Sequence, residues 1–360
     1  MRKFQCGTKI LAGIEAGAAL REWKPKRLFL VTDPYFEGNG TAARIAAGSG
    51  AEEVEIFSEV RPDPDVALAA KGTARVKAFG PDVLAALGGG SAMDCAKAML
   101  FFSGVEAKLI AIPTTSGSGS EVTDFAILTH DGVKHPLVDE KLVPDGAILD
   151  AGLLEKLPPS LIADAGFDVL AHAVEAYVGT KAGAVTDALA RDAFCTAYRC
   201  LPASFSGDRG VRLSVHMAST MAGMAFSQAG LGVCHAMSHA LGGRFHVPHG
   251  RLNAILLPAV VEVNAPAAGE KYAELARAAG LGGAADTVAL RNLKNGLCKL
   301  RRELGLPATL AEAGIPLREL WAQREKIVSD ALADPCCGTN PLPVTEAIVR
   351  RVLEAVVGGG

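Results

Sequence analysis

Four of the chain's eight histidines fall in one fifteen-residue stretch, His235-Ala-Met-Ser-His239-Ala-Leu-Gly-Gly-Arg-Phe-His246-Val-Pro-His249. His235 and His239 are four apart, so a helix would carry both on one face. The Gly242-Gly243 pair and Pro248 are expected to end that helix and turn the chain before His249. Upstream, Asp168-Val-Leu-Ala-His172 sets a carboxylate and an imidazole at the same helical spacing. A lone histidine on an alanine-rich helix is more often a hydrogen-bonded core residue than a ligand. The two segments together reverse that balance, because a buried carboxylate among apolar neighbours is costly unless a cation offsets it. One carboxylate with several imidazoles suits zinc or ferrous iron, so the chain reads as a metalloenzyme. His246 is expected only to line the turn, and His130, His135 and His216 to be ordinary. Phe226 reads equally well as a wall of a substrate pocket or as core.

Two glycine- and hydroxyl-rich loops offer a second chemistry. Gly88-Gly-Gly-Ser-Ala-Met-Asp-Cys-Ala-Lys97 follows the strand-like run Val83–Leu87 and opens a helix. Glycines let a backbone approach a phosphate, and a helix start offers free N–H groups at the positive end of its dipole. The pattern is neither GxGxxG nor GxxxxGK[ST], so its strand–loop–helix context carries the reading. Pro113-Thr-Thr-Ser-Gly-Ser-Gly-Ser-Glu121 also follows a strand, and the two loops are expected to hold a pyrophosphate between them. Asp33, at the end of the first long strand, is a candidate for ribose hydroxyls.

These groups need elements to position them. Residues 1–155 alternate short apolar runs (27–32, 53–57, 83–87, 109–112) with helical stretches (65–79, 92–102), which predicts βαβ units and a parallel sheet. From Pro158 onward the strand signal disappears and Ala- and Leu-rich helical segments follow one another. The expectation is a Rossmann-like dinucleotide-binding domain over 1–155 and an all-helical metal and substrate domain over 156–360, with the boundary near 150–160. A hydrophobic fraction of 49% with 21% charged residues describes a globular chain with room for two cores. A net charge of −3 without like-charge blocks argues against nucleic acid or an anionic membrane as partner. Apolar runs such as 84–87 and 109–112 are too short to span a bilayer, and the basic start lacks the apolar segment of a secretory signal. Eight scattered cysteines without a CxxC pair fit buried or free thiols in a reducing cytoplasm.

The segments GGGSAMDCAK, PTTSGSGSEVT, Asp-x3-His followed by AVEAY, and AGMAFSQAGLGVCHAMSHALGGRFHVPHGRLNAILLP resemble the iron-dependent alcohol dehydrogenase family over nearly the whole chain, to Asn340-Pro341. Within it, Arg61-Pro-Asp-Pro64, GGGSAMD and AGMAFSQAGLG look most like the 1-propanol dehydrogenases of propanediol-utilisation microcompartments and their ethanolamine-pathway relatives. The resemblance implies Asp168, His172, His235 and His249 as metal ligands. It implies His239 as a histidine off the metal that serves as proton relay. It assigns Gly89, Gly90 and Ser91 to the pyrophosphate loop with Asp94 in its helix, and Thr114, Thr115, Ser118 and Thr123 to cofactor contacts. Lys134 would lie near the nicotinamide ribose, and Asp33 would favour NAD over NADP by repelling a 2′-phosphate. Asp63 stands where the family commonly has Asn. NAD(H) and ferrous iron are the cofactors so implied, with zinc as the alternative metal. A short-chain alcohol or aldehyde is the implied substrate, and a homodimer or larger homo-oligomer, cytoplasmic and inside a microcompartment with shell or enzyme partners, is the implied setting.

Polyol dehydrogenases and cyclising synthases of the same superfamily share both sites, and a metal-dependent hydrolase would use the metal alone. No Lys or Arg occurs between Met217 and Arg244, which counts against a phosphorylated substrate.

Overall fold

The computed structural model describes residues 4–130 and 133–358. The described residues divide into two compact units, Cys6–Leu157 and 158–358, the second taken together with residues 4–5.

The first unit carries strands β1 (Lys9–Ala12), β2 (Arg27–Val31), β3 (Glu53–Phe57), β4 (Val83–Gly88), β5 (Lys108–Pro113), β6 (Phe125–His130), β7 (Val133–Val138) and β8 (Gly146–Leu149). Its helices are α1 (Ala16–Leu20), α2 (Pro34–Gly38), α3 (Thr41–Ser49), α4 (Val66–Phe79) and α5 (Gly90–Ser103). Six strands form one parallel sheet in the order β1-β8-β5-β4-β2-β3. β2, β4 and β5 are almost continuously apolar and buried, as strands covered on both faces must be. Alternate residues serve the two faces. Leu28, Leu30, Ala85, Leu87, Ile110 and Ile112 pack with Leu20 and Ile45. Phe29, Val31, Leu84, Ala86 and Ala111 pack on the other side with Val76, Met93 and Met99. The chain moves outward from β2 to β3 and then returns to β4 on β2's other flank. That reversal opens a crevice at the carboxyl ends of β2 and β4, where Asp33 and the first glycine loop emerge.

The second unit has no strand among its described residues. It consists of α6 (Pro159–Val178), α7 (Ala184–Phe205), α8 (Arg212–Ala229), α9 (Val233–Phe245), α10 (His249–Ala278), α11 (Asp286–Glu303), α12 (Leu317–Ala322), α13 (Arg324–Ala333) and α14 (Glu346–Val356). The parallel α/β domain followed by helices is therefore the architecture. α10 is long and apolar enough to cross a bilayer by composition, but 67% of its most apolar window is buried inside the fold, so it serves as a core helix.

Two local readings are corrected. Gly242 and Gly243 do not end the helix: both lie inside α9, which stops at His246, held in the left-handed region at φ 53. A histidine, not a glycine, takes this C-cap, its backbone N–H donating to the Gly242 carbonyl. The sequence reading also lacks β1 and β8, which have only four residues each, and the antiparallel pair β6–β7.

α10 begins against the backbone of α6. A Cβ on Gly250 would lie 1.9 Å from the Asp164 carbonyl oxygen, so glycine alone lets the turn bearing His249 approach the helix bearing Asp168. Gly250→Ala should lower unfolding stability by about 1–3 kcal/mol, read by urea denaturation. Wild-type stability would mean that the two helices do not meet there.

Candidate metal centre and nucleotide loops

The helical unit converges on one carboxylate oxygen. His249 Nε2 lies 3.4 Å, His235 Nε2 3.6 Å and His172 Nε2 3.8 Å from Asp168 Oδ1. Ligands sharing an ion at bonds of about 2.1 Å stand roughly 3–3.5 Å apart, so this spacing is close to that of a donor set around a common cation. The ligand atoms of Asp168, His235 and His249 form the tight group, mutually within 4.8 Å. His172 faces the same oxygen from the side, its ring stacked between His235 (centroids 4.5 Å) and Phe226 (4.3 Å). α6 supplies Asp168 and His172 one turn apart, α9 supplies His235, and the first residue of α10 is His249.

The electrostatics favour a cation. Burial opposes ionisation of Asp168, but the imidazoles of His172, His249 and His235 together hold its carboxyl well below the usual carboxylate range. Burial likewise works against charge on His235, yet hydrogen bonds to Asp168 and Glu175 push it up to about 9. Burial and the neighbouring imidazoles push His249 down, which keeps that ring neutral beside an ionised Asp168, and an anionic oxygen among imidazole nitrogens is the donor set that a divalent ion takes.

Sequence reasoning missed the residues that orient the set. Glu175 Oε2 accepts a 2.6 Å bond from His235 Nδ1. Asn253 Nδ2 donates to Asp168 Oδ1 at 2.8 Å, while Ser238 Oγ donates to Asn253 Oδ1 at 2.5 Å. Helical spacing contained a signal for both: Glu175 is seven residues after Asp168, and Asn253 four after His249. Asp334 had no such signal, being 95 residues from its partner. It accepts a 2.8 Å bond from His239 Nδ1, leaving Nε2 as that ring's other polar atom. Burial opposes ionisation of Asp334, but the His239 bond and the Cys336 amide keep its carboxyl down at about 2. His239 is a third exposed and its ring stacks on His249, centroids 5.2 Å apart.

In the first unit the two loops stand against each other. A Cβ on Gly89 would meet Thr115 Oγ1 at 3.4 Å, and one on Gly90 would meet Ser118 Cβ at 3.4 Å. Gly88, at φ +155, could not carry a side chain, since its Cβ would lie 2.6 Å from Ala92 Cβ. Gly89 caps α5 with no side chain on the first N–H groups, which leaves the helix start and Ser91 to an incoming anion. Asp33 caps α2 through Oδ1, accepting from Tyr35 N at 2.9 Å and Phe36 N at 3.1 Å. Thr114 and Thr123 are buried, and the Thr123 hydroxyl accepts from Lys97. The backbone of Lys134 lies in β7 opposite Thr129, and its side chain falls outside the described residues.

Lys97 closes the GGGSAMDCAK motif. It is 1% exposed, and its Nζ donates to Thr123 O (2.8 Å), Thr123 Oγ1 (3.0 Å), Phe125 O (2.9 Å) and Ser120 Oγ (3.3 Å). Burial pulls this ammonium down to about 8, against the opposing carboxylates of Asp94, Glu121 and Asp124. It ties the helix after the first loop to the far end of the second.

The model of the iron-containing alcohol dehydrogenases matches residues 7–151, and that of the Fe-containing alcohol dehydrogenase family, C-terminal, matches residues 162–357. The chain belongs to the iron-containing alcohol dehydrogenase family. It is an oxidoreductase of alcohol dehydrogenase type. The 1-propanol dehydrogenase PduQ of Citrobacter freundii is 40% identical, with 99% of this chain and 100% of the relative covered. The NADPH-dependent butanol dehydrogenase of Clostridium saccharobutylicum is 38% identical over 85% of this chain and 84% of its own length. The solved iron-containing alcohol dehydrogenase of Thermococcus thioreducens superposes with a TM-score of 0.91 at 33% identity, covering 98% of this chain and 99% of that one. The family's iron is the ion that the Asp168 cluster has the donors to hold.

Two substitutions separate the units. His249→Ala should abolish tight Fe(II) binding and turnover while NADH still quenches protein fluorescence; retained turnover would remove His249 from the metal set. Lys97→Met leaves buried acceptors without their donor and should cost about 2–4 kcal/mol of stability, together with weaker NADH binding. Unchanged NADH affinity would mean that Lys97 does not shape the loops.

Proposed function

We propose that this alcohol dehydrogenase uses ferrous iron and NADH to reduce short-chain aldehydes, propanal foremost, to primary alcohols. The observation that carries the proposal is the convergence of three imidazoles on Asp168 Oδ1. Iron supplies a Lewis acid for the substrate oxygen and the nicotinamide supplies the hydride. The chain's own residues do the rest. Asp168, His172, His235 and His249 hold the ion. Phe226, buried and stacked on His172, keeps water from that side of the ligand set. His239, fixed at Nδ1 by Asp334 and partly exposed, exchanges the substrate's proton with solvent at Nε2. The absence of Lys and Arg from Met217 to Arg244 suits a small neutral substrate better than an anionic one.

NADH is preferred over NADPH in this reading because a carboxylate at position 33 repels a 2′-phosphate and can accept from a free 2′-hydroxyl. Its Oδ2 would lie 3.9 Å from a Cβ on Gly88, so the carboxylate borders the glycine loop. Likeness to PduQ is the ground for extending the proposal to a cytoplasmic enzyme of a propanediol-utilisation microcompartment, active as at least a homodimer.

The test is NADH oxidation by propanal, on metal-stripped protein and after anaerobic addition of Fe(II). Turnover restored by iron is expected; NADH binding without turnover would overturn the substrate assignment. Asp33→Gly should raise the NADPH-to-NADH ratio of kcat/KM, since glycine costs the α2 cap only a few tenths of a kcal/mol. An unchanged ratio would take Asp33 out of the cofactor site.

A further inference from the structure

Glu175 is 2% exposed and lies on α6, three residues after His172 and seven after Asp168, so one helical face carries two ligands and this third carboxylate-bearing position. Every partner recorded for its carboxylate is an N–H group. Oε1 accepts from Cys234 N at 2.7 Å; Oε2 accepts from Gly232 N at 3.0 Å, His235 N at 3.4 Å and His235 Nδ1 at 2.6 Å. The first three are amides at the start of α9, a thirteen-residue helix whose own N-cap, Gly232, provides no side chain. That glycine is required by the contact: a Cβ there would stand 2.8 Å from Glu175 Oε1 and 2.7 Å from Asn340 Oδ1.

We propose that Glu175 is a positioning residue for the metal centre, clamping the start of α9 and the His235 ring with one carboxylate so that Nε2 alone faces Asp168. The proposal rests on the reading of His235 as a ligand. Two geometric facts support it. The bond at Nδ1 selects the tautomer whose remaining lone pair is on Nε2, the atom 3.6 Å from Asp168 Oδ1. The bonds to the amides fix the backbone from which that ring projects, so rotation about the His235 side chain would break the carboxylate's contact with ring or helix. A carboxylate behind a histidine ligand raises the ligand's basicity and orients it. Its effect on the metal site passes through His235, the one ligand that it contacts.

Glu175→Gln is the informative variant. Its amide keeps one oxygen for the α9 amides but turns an NH2 toward His235 Nδ1 or toward Cys234 N. Fe(II) affinity, measured anaerobically by competition with a chromophoric chelator, should fall about 10–100-fold. The unfolding midpoint of the metal-free protein should fall, because an NH2 then faces a buried amide N–H, and NADH binding should stay as in wild type. In a His235→Ala background the same substitution should cost no further affinity, because the carboxylate would have nothing to act through. Wild-type Fe(II) affinity in Glu175→Gln, or an equal loss in the His235→Ala background, would overturn the proposal and leave the metal site standing. Wild-type Fe(II) affinity in His235→Ala alone would overturn both. If Glu175→Gln does not fold, a crystal structure of the Fe(II)-loaded wild type decides: ligation through His235 Nε2 with Nδ1 on Glu175 supports the clamp, and ligation through Nδ1 refutes it.

Discussion

A carboxylate buried among helices is held only if something positive stands beside it, and the helical unit is organised around meeting that demand for Asp168. Three imidazoles arrive from three helices to face a single oxygen. The requirement reaches far from the ligands. α10 must touch α6 through Gly250 for His249 to arrive, and α9 must end in a left-handed His246 for the chain to double back within three residues. Asn253 and Ser238 add neutral hydrogen bonds that settle the carboxylate's orientation.

The nucleotide unit solves the opposite problem. Its guest would be an anion, and the receiving groups are backbone amides and hydroxyls, not opposed charges. What such a surface needs is close approach and rigidity. Gly88, Gly89 and Gly90 provide the first, and Lys97 provides the second by drawing four oxygens of one loop around a single buried ammonium. One positive charge is thus sequestered as a brace while the open helix start of α5 remains for a ligand.

What could be read from sequence follows the range of the interactions. The helical unit, the parallel sheet and the clustering of Asp168, His172, His235 and His249 rest on patterns repeated within a turn or two, and the histidine density is plain in the sequence. β2, β3, β4 and β5 were long and apolar enough to be seen; β1 and β8, four residues each, were not. The end of α9 was misjudged because a glycine pair is a common stop, whereas here both glycines remain helical and a histidine takes positive φ. Asp334 could not be read at all, since its partnership with His239 spans 95 residues and exists only after folding. Glu175 stood in plain view at helical spacing, yet a glutamate on a helix is so common that geometry was needed to give it a purpose.

The donors of the Asp168 cluster lie on α6, α9 and α10, separated by more than sixty positions of chain between His172 and His235. In the unfolded chain they are merely scattered weak ligands. An ion held there would also be a thermodynamic cross-link: free metal at a hundred times its dissociation constant would add about 2.7 kcal/mol to the folded state. Iron supply would then bear on how often this fold opens, and not on turnover alone.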